Sequence, residues 1–205
     1  MDYNDIRLDH RVILELVRPR SQVLDLGCGS GELLYLLIKE KNCLGQGIEI
    51  DEQAIYSCVA KGLNVLHGDI DSGLVDYRDK SFDYVILNQT LQQVKHLQSV
   101  LDDALRVGKK VIVGLPNFAG YKARIQLFFG GRAPVTKSLP YSWHESPNRH
   151  FLSVLDFIEY CGQKKIKIEN SKFINEKKTI VLLPNIFAQI GIFLISREGG
   201  EHAVY

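Results

Sequence analysis

Val23-Leu24-Asp25-Leu26, running directly into Gly27-Cys28-Gly29-Ser30-Gly31-Glu32, constrains this chain more than any other stretch. An apolar run with a single acid reads as a buried strand. The three alternate glycines after it remove every Cβ that would hold a ligand away from the backbone. A helix over Glu32 to Lys39 begins straight after the turn, so its free N–H groups and positive dipole end face whatever the loop holds. A dinucleotide fingerprint, G-x-G-x-x-G, needs its third glycine for close helix packing beside a pyrophosphate. Glu32 stands at that position, and a carboxylate there repels a pyrophosphate. A nicotinamide or flavin dinucleotide is therefore the weaker reading, and a non-binding turn with solvated acids is a further alternative.

Two more acids follow at strand ends. Gly45 to Asp51 supplies a second short strand with Glu49 near its end, about twenty residues past the first glycine, the offset at which an acid accepts both hydroxyls of a ribose. Asp69 follows a third strand, in Leu66-His67-Gly68-Asp69-Ile70. The D-x-G-x-G-x-G pattern resembles motif I of class I S-adenosylmethionine-dependent methyltransferases, whose coenzyme carries an ammonium and a carboxylate in place of phosphates. This resemblance implies a site for S-adenosylmethionine or S-adenosylhomocysteine. Asp25 would partner the ammonium, Glu49 the ribose and Asp69 the adenine. Gly27, Cys28, Gly29, Gly31, Ile50 and Ile70 would line the site, and Asn88 would lie near the transferable methyl.

At 205 residues with 45% hydrophobic content, one domain with a sizeable core is expected over residues 1–197, with a frayed tail over 198–205. A net charge of +1 from interspersed acids and bases gives no field to hold a polyanion, so no nucleic-acid or membrane partner is expected. Cys28, Cys43, Cys58 and Cys161 form no C-x-x-C pair and read as reduced thiols. Without an apolar leader or an eighteen-residue apolar run, the protein is expected to be cytoplasmic. No spacing of His, Cys and Asp suggests a metal site.

Strand and helix patterns alternate along the chain. The order is a helix around Leu8 to Val17, lying against the sheet or over the ligand mouth; strand one; a helix; strand two; a helix from N-cap Asp51 to Lys61, with Ile55, Cys58 and Val59 inward and Gly62 as its stop; and strand three over Asn64 to His67. Then come strand four, Phe82 to Asn88, a helix from Leu91 to Val107, and strand five, Lys110 to Leu115. This predicts an α/β, doubly wound, mostly parallel seven-stranded sheet with helices on both faces and the last strand antiparallel, its ligands at the carboxyl edge. A helical stretch with Ile125, Leu127, Phe128 and Phe129 precedes a long aromatic loop, Pro134 to Leu152, expected to be a lid or partner surface. A helix from Ser153 to Cys161, with Val154, Phe157 and Ile158 inward, and strands over Ile166 to Ile174 and Phe187 to Ser196 complete the pattern.

Several strings go beyond motif I: Val59 to Val65, Asn88 to Gln92, Leu105 to Gly108, Pro116 to Phe118, Gly131 to Val135, Leu139 to Trp143, Ser146 to His150 and Leu183 to Gly191. They closely resemble the methionine-biosynthesis MetW family over roughly Ile13 to Arg197. The resemblance implies the class I methyltransferase fold and a role beside a homoserine O-acyltransferase, regulating or completing it. His144 stands where the family pattern has a tyrosine, and Arg149 where it has an apolar residue. An active methyltransferase on a small-molecule acceptor is the alternative. Methyl transfer needs positioning and, for a protonated acceptor, a base. No unmistakable base is present; His150, His144 and Tyr141 are the candidates, set against structural roles in a proline-rich loop. Tyr141 and Trp143 read as packing or interface anchors. Lys122, Arg124, Arg132 and Lys137 suit an anionic substrate or an acidic partner face, or simply a solvated surface.

Overall fold

A computed structural model describes residues 6–197; the tail expected over 198–205 lies outside them. The elements are α1 (Leu8–Leu16), β1 (Gln22–Leu26), α2 (Glu32–Lys41), β2 (Leu44–Glu49), α3 (Glu52–Ala60), β3 (Val65–His67), β4 (Phe82–Asn88), α4 (Leu97–Val107), β5 (Gly108–Pro116), α5 (Tyr121–Gly130), α6 (Val154–Gln163), β6 (Ile166–Ile174), α7 (Pro184–Phe187) and β7 (Ile190–Arg197). They build one seven-stranded sheet in the order β3-β2-β1-β4-β5-β7-β6. Pairing is parallel from β3 to β5 and antiparallel on both sides of β7.

The alternation of side chains along β4 explains why helices cover both faces. Val85 and Leu87 join a core with Val100, Leu101 and Leu105 of α4 and Phe157 of α6. Tyr84 and Ile86 face the other way, against Ile13 of α1 and Leu33 and Leu37 of α2. The order of strands reverses at β1, which pairs with β2 on one side and β4 on the other. A crevice opens at the carboxyl ends of strands flanking such a reversal.

Several local expectations are corrected. α4 starts at Leu97 rather than Leu91, because the Asp71 carboxylate accepts the N–H groups of Lys95 and His96 and holds the preceding segment as turns. On α3 only Cys58 is buried, while Val59 is 60% exposed, since the helix covers the edge of the sheet. Asp51 does cap it, accepting the Ala54 N–H at 2.7 Å. α6 buries Val154, Phe157 and Cys161 behind a Ser153–Asp156 capping box, leaving Ile158 partly exposed. Pro184–Phe187 forms a short helix, so β7 begins at Ile190. Asn117 imposes that break by donating to the carbonyls of Asn185 and Ala188.

Candidate functional site

The glycine turn adopts the conformation its sequence allows: Gly27, Gly29 and Gly31 have φ of 71°, 54° and 77°, the left-handed region that favours glycine. The N–H groups of Gly27 and Cys28 both donate to the Ile48 carbonyl, at 2.8 and 3.2 Å, which ties the turn to the end of β2. The glycines serve different ends. A Cβ on Gly29 would meet no protein atom within 4 Å, whereas one on Gly31 would lie 2.7 Å from the Cys58 sulfur and against Leu63. Gly29 thus borders open space, and Gly31 lets α3 pack against the turn. Gly31 also begins α2 without any side-chain cap.

Glu49 is locked by three backbone donors: Gly29 N–H to Oε2 at 2.7 Å, and Ile50 and Asp51 N–H to Oε1 at 2.8 and 3.0 Å. Asp69 accepts the Asp71 N–H at 2.9 Å and opens a short helical turn over Ile70–Ser72. Asp25 is different. It is 3% exposed, and among the described residues no donor bonds its carboxyl. Burial, with the Glu49 charge adding to it, pushes its pKa up to about 7.

At the end of β4, the amides of Asn88 and Gln89 both donate to Asp9 Oδ2 of α1, at 3.0 and 3.1 Å. Burial works to raise the Asp9 pKa; the His10 and Arg7 charges and the bonds from Arg7 and Asn88 outweigh it and hold the carboxyl below its ordinary range. α1 packs on the sheet, as one of its two expected placements has it, and its Asp9 reaches the carboxyl edge. Gln89 itself sits at φ 58°.

These residues enclose a groove in two chambers. One, of about 420 Å³, is lined by Gly27, Gly29, Glu49, Ile50, Asp69, Ile70 and Asn88, and also by Lys95 and Arg149. The other, of about 280 Å³, is lined by Asp25, Cys28 and Ser30 with Arg7 and His10 of α1. Gly27, Gly29, Asn88 and Gln89 belong to both. Of the residues read from the sequence as coenzyme-lining, only Gly31 touches neither chamber. Arg7, His10 and Lys95 were not foreseen. Arg149 had one signal, its departure from the family pattern. Among the described residues no group of His, Cys, Asp or Glu could hold a metal ion, and no helix is long and apolar enough to cross a membrane.

A family model described as methionine biosynthesis protein MetW matches residues 7–195. The chain belongs to the MetW family. A relative from Rhodopirellula baltica, the bifunctional methionine biosynthesis protein MetXA/MetW, is 34% identical over 177 residues, which are 82% of this chain and 28% of that protein. The chain therefore spans less than a third of that relative's length. Among solved structures it is similar to a SAM-dependent methyltransferase from Archaeoglobus fulgidus, with TM-score 0.69 and 16% identity, covering 92% of this chain and 91% of that one. It is also similar to the [4+2]-cyclase SpnF, with TM-score 0.65 and 12% identity, covering 94% and 81% respectively. These likenesses show the fold, and a cyclase among them makes plain that the fold does not dictate the reaction.

The candidate bases of this MetW-family chain lie outside the groove's lining. His150 bonds through Nε2 to the Val94 carbonyl at 2.9 Å, and its N–H donates to Gln92, so it pins the loop over the turn after β4. His144 is exposed and meets Ser142 Oγ at 3.3 Å. Tyr141 lines a separate aromatic pocket of about 130 Å³ with Trp143 and Phe151.

Proposed function

We propose that this MetW-family protein of methionine biosynthesis binds S-adenosylmethionine, or its demethylated product S-adenosylhomocysteine, in the two-chambered groove and acts with a homoserine O-acyltransferase. The observation that carries the coenzyme reading is Asp25, a buried carboxyl that no donor among the described residues satisfies, beside a preordered Glu49. A buried charge of this kind is tolerated where a ligand supplies the counter-charge. The coenzyme's ammonium suits Asp25, its ribose hydroxyls suit Glu49, and its adenine suits the Asp69–Ile70 side. Asn88 to Thr90 flank the turn where the two chambers meet. The coenzyme, when bound, supplies a sulfonium-activated methyl group; the chain's own residues orient it and exclude water from its charged end.

The partner reading rests on the Rhodopirellula baltica relative, whose name joins MetXA to MetW, and on the family's resemblance-based association with acyl transfer to homoserine. Calorimetry with each coenzyme form, followed by an acyl-transfer assay of the cognate acyltransferase with and without this protein, tests both parts. Absence of heat with either form at millimolar concentration refutes the coenzyme site; an unchanged acyl-transfer rate refutes the partnership. Direct methyl transfer is the second reading, favoured by Lys95 and Arg149 in the lining of the larger chamber, two cations that suit an anionic acceptor. Transfer of labelled methyl to an acceptor without the acyltransferase decides for it.

A further inference from the structure

Exposed apolar side chains gather around α5 and the segments beside it. α5 buries only Ala123. Tyr121, Ile125, Phe128 and Phe129 fall at i, i+4, i+7 and i+8, a single stripe on the opposite side of the helix. Phe128 and Phe129 are 82% and 80% exposed, packed edge to face at 4.9 Å. Tyr121 meets Phe187 of α7 at 6.1 Å, so the stripe continues toward Val181, Leu182 and Leu183, all exposed. Leu183 holds a strained φ of 46°. On the other flank lies the aromatic pocket of about 130 Å³ with Trp143, Tyr141 and Phe151. Gln126 holds that loop to α5, bonding the Val135 N–H at 2.9 Å and the Val135 carbonyl at 3.0 Å.

A ridge and a hole thus sit side by side on one surface. Contiguous exposed apolar side chains rimmed by polar residues mark interaction sites, and a helix with an outward stripe suits an apolar groove. Charge discriminates between occupants. Lys122 and Arg124 lie on α5 itself, and Arg132 and Lys137 follow it in the chain; Glu176 pairs with Lys122 and Lys137, and Arg124 donates to the Ala119 carbonyl. A second copy docked about a two-fold axis would bring a patch of the same net positive charge against this one. A partner with an acidic rim would complement it. A flat anionic membrane would suit the cations too, but offers nothing of fixed shape to the pocket.

We propose that the α5 stripe and the adjoining aromatic pocket form the docking surface for the homoserine O-acyltransferase, which would offer an apolar groove with an acidic rim. This rests on the partner reading above. The test measures binding of the full chain to its purified cognate acyltransferase by calorimetry, for wild type, the double variant Phe128→Asp with Phe129→Asp, and Leu44→Asp on an exposed site in β2 as control. Wild type and control are expected to bind alike, and the double variant to lose roughly tenfold or more, with coenzyme binding and melting temperature kept. Amide exchange of the wild-type complex should show new protection over 121–130 and 141–151. If wild type does not bind, the partner reading falls and this surface with it. If wild type binds but the double variant binds equally, or protection appears elsewhere, this surface is wrong and the partnership stands. Self-association abolished by the double variant would assign the surface to a second copy, and capture by anionic vesicles without the acyltransferase would assign it to a membrane; either overturns the proposal.

Discussion

Replacing Asp25 by asparagine keeps the outline of the side chain and removes a charge that nothing among the described residues compensates. Burial, with Glu49 adding to it, moves the carboxyl from its ordinary 3.8 to about 7. At about 1.4 kcal/mol per tenfold change in proton affinity, the ionised form costs the fold about 4 kcal/mol. The folded state holds this proton more tightly than the unfolded chain. Between about pH 4 and pH 7 it therefore binds more protons, and stability falls as pH rises through that window. Below it both states are protonated and the group is silent; above it the full cost stands. The amide never ionises, though burying it unpaired costs about 1–3 kcal/mol. Asp25→Asn should then be less stable than wild type at pH 4 and more stable, by about 1–3 kcal/mol, at pH 8. Urea unfolding of both proteins across this range measures the crossing. Bound S-adenosylmethionine should reverse the order at pH 8, because its ammonium favours the carboxylate. Parallel stability profiles in the free proteins would refute the idea that Asp25 is an uncompensated buried acid.

Gly29→Val should leave the fold in place, at a cost of about 1–3 kcal/mol for a branched residue at φ 54°, yet abolish coenzyme heat in calorimetry, because the new side chain occupies the groove rather than striking protein. Asp9→Ala strips the shared acceptor from Asn88 and Gln89 and should lower the urea midpoint by an amount equal to about 1–3 kcal/mol; an unchanged midpoint would mean that the amides find other acceptors. Ser153→Ala removes the capping box of α6 and should cost about 1 kcal/mol in thermal unfolding, with coenzyme affinity untouched.

The glycine turn, β4 and β6 are legible in the sequence because their determinants are local: alternate glycines, an apolar run from Tyr84 to Leu87, a strand flanked by turns. Glu49 is read from its offset past the first glycine, and Asp69 from its place after the third strand together with the family resemblance. What escaped depends on residues far apart in the chain. Nothing between Leu91 and His96 announces that Asp71 will hold that segment out of a helix, and no periodicity around Pro184 reveals the Asn117 amide that fixes it. Arg7 and His10 reach the groove only because α1 folds back onto the end of β4, an event written in the contact of Asp9 with Asn88 and Gln89 rather than in any motif. The aromatic content of Tyr141 and Trp143 pointed to an anchor, but their distance from the groove follows from the path of the loop.

α3 has little to hold it. It contributes a single buried residue, Cys58, to a small cluster with Leu34 and Leu63, and the surface it leans on is the bare backbone of Gly31. Helices anchored by so few apolar contacts open locally at a small fraction of the global unfolding free energy. Each opening removes the wall behind the glycine turn, so a ligand in the groove gains a momentary exit. The residence time of that ligand and the exchange protection of α3, which lines neither chamber, should lengthen and shorten together.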